Sequence, residues 1–185
     1  MIRMNKLTKF FVGSIILLVA FVLLSAPDVK RVKRALADFH VNASDRLYFK
    51  NLRQYYYRSS TTKGEQFEVF TLKQADTDLQ SPLRFKILNN WRMDEAYIML
   101  TDTADVTLGK VILDGTVMEP WDLQNLDGEG HMQLAMDLFE HLQDDGNRCF
   151  YDHPDLGRME LWSDKAERQR TLTVLKDYFK LVGAL

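Results

Sequence analysis

Apolar and polar residues alternate through the middle of the chain in the way that is typical of half-buried β-strands. In residues 66–72, the side chains of Phe67, Val69 and Thr71 share one face. Residues 47–58 are rich in Tyr, Phe and Leu, which favour strands. A short polar stretch containing Ser, Thr and Gly separates the two runs, so the pattern predicts that they form a hairpin.

The same alternation predicts further antiparallel strands towards the C-terminus. Short turn-forming stretches join several of these runs, and connections of this length link antiparallel neighbours. The predicted strands are residues 83–88, 96–101 and 109–113, a short sixth strand at 116–118, and a hairpin formed by 148–151 and 158–162.

Helical spacing replaces alternation in two segments of the C-terminal half. Apolar side chains recur every three to four residues in residues 129–145, which predicts an amphipathic helix. A last helix is expected to start at Ser163 or Asp164, because Glu167 follows Asp164 at the spacing of a capping box, and to end at Gly183. The predicted order is a helix, about five strands, a helix, the hairpin and a last helix. An antiparallel sheet of about five strands packed by two or three helices makes an α+β two-layer domain.

The N-terminal part of the chain has a different pattern. An uncharged apolar run of 17 residues begins at Phe10 and ends at Ala26. As a helix it would be about 25 Å long, close to the roughly 30 Å core of a bilayer. We therefore predict a single transmembrane helix that contacts the lipid bilayer and acts as an uncleaved signal anchor. A cleaved signal peptide and a buried core helix are the alternatives.

Basic residues flank this run on both sides. Lys9 precedes it, and Lys30, Arg31, Lys33 and Arg34 follow it. Long basic side chains can reach the head-group region from the ends of a membrane helix, so these five residues are predicted to flank the membrane.

Three parts of the chain follow from these patterns. Residues 1–26 are expected to form the N-terminal tail and the transmembrane helix. Residues 27–44 are expected to contain a basic juxtamembrane helix that extends to about residue 40. Residues 45–185 are expected to form the soluble α+β domain.

The charge balance bears on orientation and on partners. Residues 1–26 contain three basic residues and no acidic ones, whereas residues 27–185 hold 21 Lys and Arg and 26 Asp and Glu, a formal net charge of −5. A basic tail before the helix favours a cytoplasmic N-terminus, so we expect the domain to be periplasmic or otherwise extracytoplasmic. An acidic domain repels phosphate backbones, which argues against nucleic acid as a partner.

Cys149, Asp152 and His153 form the densest group of potentially reactive side chains. A Cys–His nucleophile needs both side chains within hydrogen-bond reach. Four residues of extended chain separate Cys149 from His153 by up to about 13 Å. Because Asp residues around a proline are typical of turns, the pattern favours turn chemistry. The three residues are kept as the catalytic candidates of an enzyme hypothesis.

No metal or cofactor is expected from the remaining motifs. His131 and His141 lie on one predicted helix at positions about 15 Å apart along its axis, too far to share a metal. Residues 125–130 resemble the start of a calcium-binding EF-hand loop, but Met136 stands where that loop requires a bidentate Glu. The sequence contains none of the common glycine-rich nucleotide-binding motifs.

Several aromatic and charged residues are candidates for a protein-binding surface. If residues 47–58 form a strand, Tyr55 and Tyr57 share one face, and exposed Tyr, Trp and Arg are favoured at protein interfaces. Acidic residues near the C-terminal end of the helix at 129–145 oppose the helix dipole without evident compensation, which can mark a binding surface. The candidates are Tyr55, Tyr57, Trp91, Arg92, Asp144 and Asp145.

Together these observations predict a membrane-anchored, non-catalytic protein-interaction subunit of a larger membrane or cell-envelope assembly. One alternative is an anchored extracytoplasmic enzyme that uses the cluster around His153. Another is a small-ligand or lipid-binding domain, whose pocket we would expect Tyr55, Trp91 and Phe139 to line.

Overall fold

The order of strands and helices follows the α+β pattern that the sequence predicts. A computed structural model describes residue 15 and residues 31–34, 37–61, 66–73, 82–102, 109–115 and 120–185. Within these residues there are two antiparallel sheets and three α-helices. Arg31–Leu185 belong to one unit.

The first sheet consists of β1 (Tyr57–Thr61), β2 (Glu68–Leu72), β3 (Leu83–Asn90) and β4 (Glu95–Asp102). Its strands pair antiparallel in chain order, and the pairing of β3 with β4 confirms the predicted second hairpin. Alternation builds its apolar face, because Ile87 of β3 lies opposite Ile98 of β4 and both are fully buried. In β2 the buried residues are Phe70 and Leu72, so the face opposite to Phe67, Val69 and Thr71 points into the core.

The second sheet consists of β5 (Lys110–Leu113), β6 (Trp121–Asp122), β7 (Cys149–His153) and β8 (Gly157–Leu161), in the order β6-β5-β7-β8. The prediction of one sheet of about five strands is therefore wrong. The buried residues of β5 find buried partners in β7 rather than in β4, and this pairing starts a separate sheet. The predicted strand at 116–118 lies outside the described residues.

The three α-helices are α1 (Ala43–Tyr48), α2 (Gly128–His141) and α3 (Lys165–Leu181). Asp164 caps α3 by accepting hydrogen bonds from the backbone N–H groups of Ala166 and Glu167, which confirms the predicted start. Gly183 follows the end of α3 with a φ of 70°, a conformation that glycine adopts without strain.

Helices α2 and α3 cover the apolar face of the first sheet. α2 packs mainly on β4, and α3 packs on β3 and β4. The rings of Phe139 in α2 and Phe179 in α3 meet edge to face with centroids 5.6 Å apart. The hydroxyl of Tyr178 donates to the carbonyl oxygen of Ala96 at 3.4 Å. This layer of helices on a sheet forms the main core of the domain.

A buried cation compensates the C-terminal end of α2. Arg168 of α3 donates to the backbone carbonyl oxygens of Asp144 at 2.8 Å and Asn147 at 2.6 Å, just beyond that helix end. A positive charge there is favourable because the C-terminus of a helix carries partial negative charge. Sequence analysis found no compensating charge in this region, and Arg168 brings a positive charge to it through its backbone carbonyls. The helix itself ends at His141, four residues earlier than predicted.

Residues 47–56 are helical, so the predicted strand at 47–58 is wrong for residues 47–56 and right for Tyr57 and Arg58, which belong to β1. The chain continues from α1 into a π-helical turn, Phe49–Arg53, and a 3₁₀ turn, Gln54–Tyr56. We call residues 43–56 the helical segment. Asn42 caps its start by accepting from the N–H of Asp45, and Phe49 inserts its ring against Phe70 of β2. Burial of Phe49 and the N-cap hydrogen bond of Asn42 outweigh the strand preference of Tyr, Phe and Leu.

The predicted juxtamembrane helix is not found in residues 31–34 and 37–40, where the only helical geometry is a 3₁₀ residue at Arg34. Residues 39–41 instead run along the edge of β4, since Ala96 donates to Phe39 and Val41 donates to Asp94 through backbone N–H groups. Pairing with an open sheet edge satisfies backbone groups that a helix would satisfy internally.

The predicted transmembrane segment lies outside the described residues apart from Ile15, which is helical. Among the helices of the described part of the chain, none combines the length and the apolar composition that crossing a bilayer requires.

We expect the Arg168→Met substitution to destabilise the domain by about 2 kcal/mol, because two carbonyl oxygens lose a charged, buried donor. The melting temperature should fall by roughly 4–8 °C, measured by circular dichroism on the full chain in mild detergent. Arg148→Met is the matched control, since Arg148 is exposed and its nearest carboxylate oxygen, on Glu160, is 4.0 Å away. Equal losses for the two variants would contradict the role assigned to Arg168.

Candidate functional site

A groove with a cavity volume of about 620 Å³ lies between the helical segment and α3. The end of the helical segment forms one wall, and Leu72 and Lys73 at the end of β2 contribute to the lining. The other wall is one face of α3, whose lining residues recur at three- and four-residue intervals. We call the whole cavity between these two walls the basic groove. It is lined by Arg53, Tyr55, Tyr56, Leu72, Lys73, Ala166, Gln169, Arg170 and Thr173.

A buried carboxylate joins the two walls. Asp177 of α3 accepts two hydrogen bonds from the guanidinium of Arg53, each of 2.8 Å, and a third of 2.8 Å from the hydroxyl of Tyr57. Its side chain is only 6% exposed. The hydrogen bond with Asp177 raises the pKa of Arg53. Burial, followed by the charge of Asp177, raises the pKa of Tyr57 far above its ordinary value, so the phenol stays protonated as a donor.

Cations stack on both tyrosines of the groove. The ammonium of Lys73 lies 4.8 Å from the ring centroid of Tyr55 and donates to the carbonyl oxygen of Tyr55 at 2.7 Å. The guanidinium of Arg53 lies 4.9 Å from the ring centroid of Tyr56. The two rings meet edge to face with centroids 5.8 Å apart. These contacts hold the aromatic wall in place while leaving Tyr55 79% exposed.

The structure separates the two tyrosines that a strand would have placed on one face. Tyr55 is exposed at the groove, whereas Tyr57 is 3% exposed and belongs to the core. Tyr57 therefore supports the groove from below and does not form its surface. The prediction of a shared face is wrong because Tyr55 lies in the 3₁₀ turn that precedes β1.

The other interface candidates lie elsewhere. Trp91 is 55% exposed in the turn between β3 and β4, with the guanidinium of Arg92 5.2 Å from its ring centroid. Asp144 and Asp145 are exposed after α2, where the Asp144 carboxylate accepts from the N–H of Gly146. Neither pair lines the basic groove.

Each catalytic candidate has a structural role. Cys149 is fully buried, and burial raises the pKa of its thiol to about 12. Asp152 accepts two hydrogen bonds from the guanidinium of Arg158, of 2.7 and 2.9 Å. His153 accepts the N–H groups of residues 155 and 156 on its Nδ1 at 3.1 Å, which closes the turn between β7 and β8. Cys149 and His153 occupy opposite ends of β7.

The histidines of α2 are also engaged within the fold. Nδ1 of His131 lies 3.4 Å from the backbone N–H of Leu100, which donates to it, and burial lowers the pKa of His131. His141 donates through Nε2 to the carbonyl oxygen of Arg148 at 3.0 Å. Within the described residues, no group of three or more His, Cys, Asp and Glu side chains could hold a metal ion.

The pocket expected for a small-ligand domain is not assembled from the predicted residues. Phe139 is buried against Phe179 beneath the sheet, and Trp91 lies in an exposed turn. Of the three expected residues, Tyr55 is the one that lines the basic groove.

The predicted membrane-flanking residues fall into three groups. Lys9 and Lys30 lie outside the described residues. Arg31 and Lys33 are exposed. Arg34 is engaged within the domain, since its guanidinium contacts Asp137 at 2.7 Å and Glu140 at 3.2 Å.

Sequence reasoning missed Arg53, Lys73, Arg170 and Asp177 as functional or supporting residues. The contact between Arg53 and Asp177 joins positions 124 residues apart, and no local pattern signals it. A helical reading of residues 47–58 would have placed Arg53 one turn after Phe49, on the side that faces the core.

Compared with protein-family models, with curated proteins and with solved structures, the chain matches none.

We expect Cys149 to be unreactive in the folded protein. With a thiol pKa of about 12, the reactive thiolate is a very small fraction at neutral pH. An aromatic disulfide reagent should label the full chain in mild detergent only after denaturant is added. Rapid labelling of the native chain at pH 7 would contradict the burial of this thiol.

Proposed function

We propose that this chain is a single-pass membrane protein whose α+β domain binds another protein, as a non-catalytic subunit of a larger membrane or cell-envelope assembly. The basic groove is the proposed binding surface. The observation that carries the proposal is the exposure of Tyr55 and Tyr56 beside fixed cations in a groove between two elements of the fold.

The membrane part of the proposal rests on the apolar run from Phe10 to Ala26. Its 17 uncharged residues gain free energy on moving from water into lipid, and basic side chains flank it on both sides. The basic tail before it favours a cytoplasmic N-terminus, which gives the domain an extracytoplasmic location.

The chemistry of the groove supports protein binding. Tyr and Arg are enriched among the residues that contribute most to binding energy at protein interfaces. Asp177 holds Arg53, and the carbonyl oxygen of Tyr55 holds Lys73. These two side chains are therefore already ordered before a partner binds. Preorganisation of this kind lowers the entropic cost of association.

A small-ligand function is the second candidate. The groove volume of about 620 Å³ falls in the range of small-molecule pockets. Two exposed tyrosines at its wall favour a partner that extends beyond the groove, and for that reason protein binding is the preferred proposal.

A photo-crosslinking amino acid at position 55 tests the proposed surface. In native membranes, the Tyr55 variant should give one reproducible adduct with a second protein, identified by mass spectrometry. Leu156 is the matched control, since it is 69% exposed in the turn between β7 and β8 and lies outside the groove. The adduct should be absent from the Leu156 variant and should survive an alkaline wash of the membranes.

Two results would contradict the proposal. The absence of any adduct at position 55, or the same adduct at positions 55 and 156, would exclude the groove as a specific interface. Release of the full chain from membranes by the alkaline wash would exclude the anchor.

A further inference from the structure

The turn between β3 and β4 exposes two large apolar side chains that lie outside the basic groove. Trp91 is 55% exposed and Met93 is 60% exposed. The guanidinium of Arg92, between them in sequence, lies 5.2 Å from the ring centroid of Trp91. We call residues 91–94 the tryptophan turn. An exposed Trp beside a cation suits the boundary between lipid and water, where the ring lies among head groups and the cation meets phosphate.

Hydrogen bonds hold the tryptophan turn in one conformation. The side-chain oxygen of Asn90 accepts the backbone N–H groups of Arg92 at 3.2 Å and Met93 at 3.3 Å. The carboxylate of Asp94, the last residue of the turn, pairs with Arg46 of α1. Because the turn is already ordered, little conformational entropy is lost when its apolar side chains meet a surface.

The first described residues of the domain lie at the same end of the fold as the tryptophan turn. The backbone N–H of Lys33 donates to the carbonyl oxygen of Ala184 at 2.9 Å, just beyond the end of α3. In the last turn of α3, the hydroxyl of Tyr178 donates to the carbonyl oxygen of Ala96. Ala96 follows the tryptophan turn by two residues. The end of α3 therefore connects the entry of the chain to the turn.

A short stretch of chain joins this end of the fold to the proposed anchor. Residues 27–32 separate Ala26, the last residue of the apolar run, from Lys33. Even a fully extended stretch of this length spans only about 25 Å. A domain of this size has a diameter of roughly 40 Å. Turning its opposite end to the bilayer would carry Lys33 further from the membrane than the stretch can reach.

We propose that the tryptophan turn contacts the lipid bilayer, with Trp91 and Met93 at the boundary between head groups and acyl chains and Arg92 on lipid phosphate. This inference rests on the anchor in the proposed function and adds a second membrane contact that orients the domain. The groove-lining residues of α3, at 166–173, belong to the half of that helix further from the turn. The contact thus leaves the basic groove open to a protein partner.

The size and charge of this surface favour lipid over a protein as its partner. A stable protein interface buries roughly 800 Å² on each side, which is more than the turn's two exposed apolar side chains offer. Contact with lipid needs only to add to an anchor that already holds the domain at the bilayer. Arg31, Lys33 and Arg92 are exposed at this end, and they offset the repulsion between an acidic domain and anionic lipid.

Tryptophan fluorescence of the full chain in liposomes tests the contact. Lipids that carry bromine on their acyl chains quench a Trp ring that reaches them. The chain has three Trp residues, so Trp91→Phe identifies the contribution of the turn. We expect brominated phosphatidylcholine to quench the natural chain, and the fraction of emission lost to fall at least about threefold in Trp91→Phe. Trp121→Phe makes the same substitution at a half-buried position and should retain the quenching.

A relocated Trp controls for general proximity to the membrane. Ser163 is exposed and follows Trp162, whose ring stacks on Phe85 near the start of β3, with centroids 6.2 Å apart. This position is at the end of β3 opposite to the tryptophan turn. Adding Ser163→Trp to the Trp91→Phe chain should not restore quenching. Arg92→Glu should reduce quenching more in liposomes that contain phosphatidylglycerol than in phosphatidylcholine alone.

Two outcomes would overturn the inference. One is equal quenching of the natural chain and Trp91→Phe, and the other is equal quenching of the natural chain and the chain with the relocated Trp. A natural chain that stays in the liposomes after an alkaline wash without quenching at Trp91 would reject the lipid contact and keep the anchor. Release of the chain by the wash would reject the anchor and this inference together.

Discussion

The buried carboxylate of Asp177 is the contact on which the basic groove depends. A carboxylate that is 6% exposed would be costly to desolvate alone, and here two guanidinium N–H groups and one phenol satisfy it. The three donors come from the helical segment and the first residue of β1, whereas Asp177 belongs to α3. The contact therefore fixes the distance between the two walls of the groove.

The surrounding contacts explain how a short, irregular helical segment can be held there. Phe49 inserts between Tyr57 and Phe70, with ring centroids 5.6 and 5.2 Å away. The ammonium of Lys180 lies 3.6 Å from the ring centroid of Tyr48. These contacts attach the segment to both the sheet and α3, so its exposed tyrosines do not need partners of their own to keep their positions. Rigid support beneath an exposed aromatic surface is what a preorganised binding site requires.

Local sequence patterns were sufficient to predict the strands and helices whose buried residues recur at a regular spacing along the chain. The alternation in β3 and β4 and the cap at Asp164 predicted those elements correctly, because each depends on residues close together in sequence. The helical segment was missed because its aromatic content favours strands, while a single buried residue, Phe49, and the capping Asn42 decide its structure. Tyr55 was selected as a surface residue from composition, although its neighbours in the groove depend on contacts between distant positions. Lys73, Arg170 and Asp177 carry no local signal, since each acquires its role only when α3 packs beside the helical segment.

The most direct test of this account is amide hydrogen exchange of the full chain in mild detergent, comparing the natural chain with the Asp177→Asn variant. The substitution removes the negative charge and one of the two acceptor oxygens that hold Arg53, so the account predicts at least about tenfold faster exchange in residues 49–57. Exchange in β7 and β8 should stay unchanged, because neither strand contacts Asp177 through the hydrogen bonds described above. Equal protection of residues 49–57 in both chains would contradict the claim that this carboxylate holds the groove together.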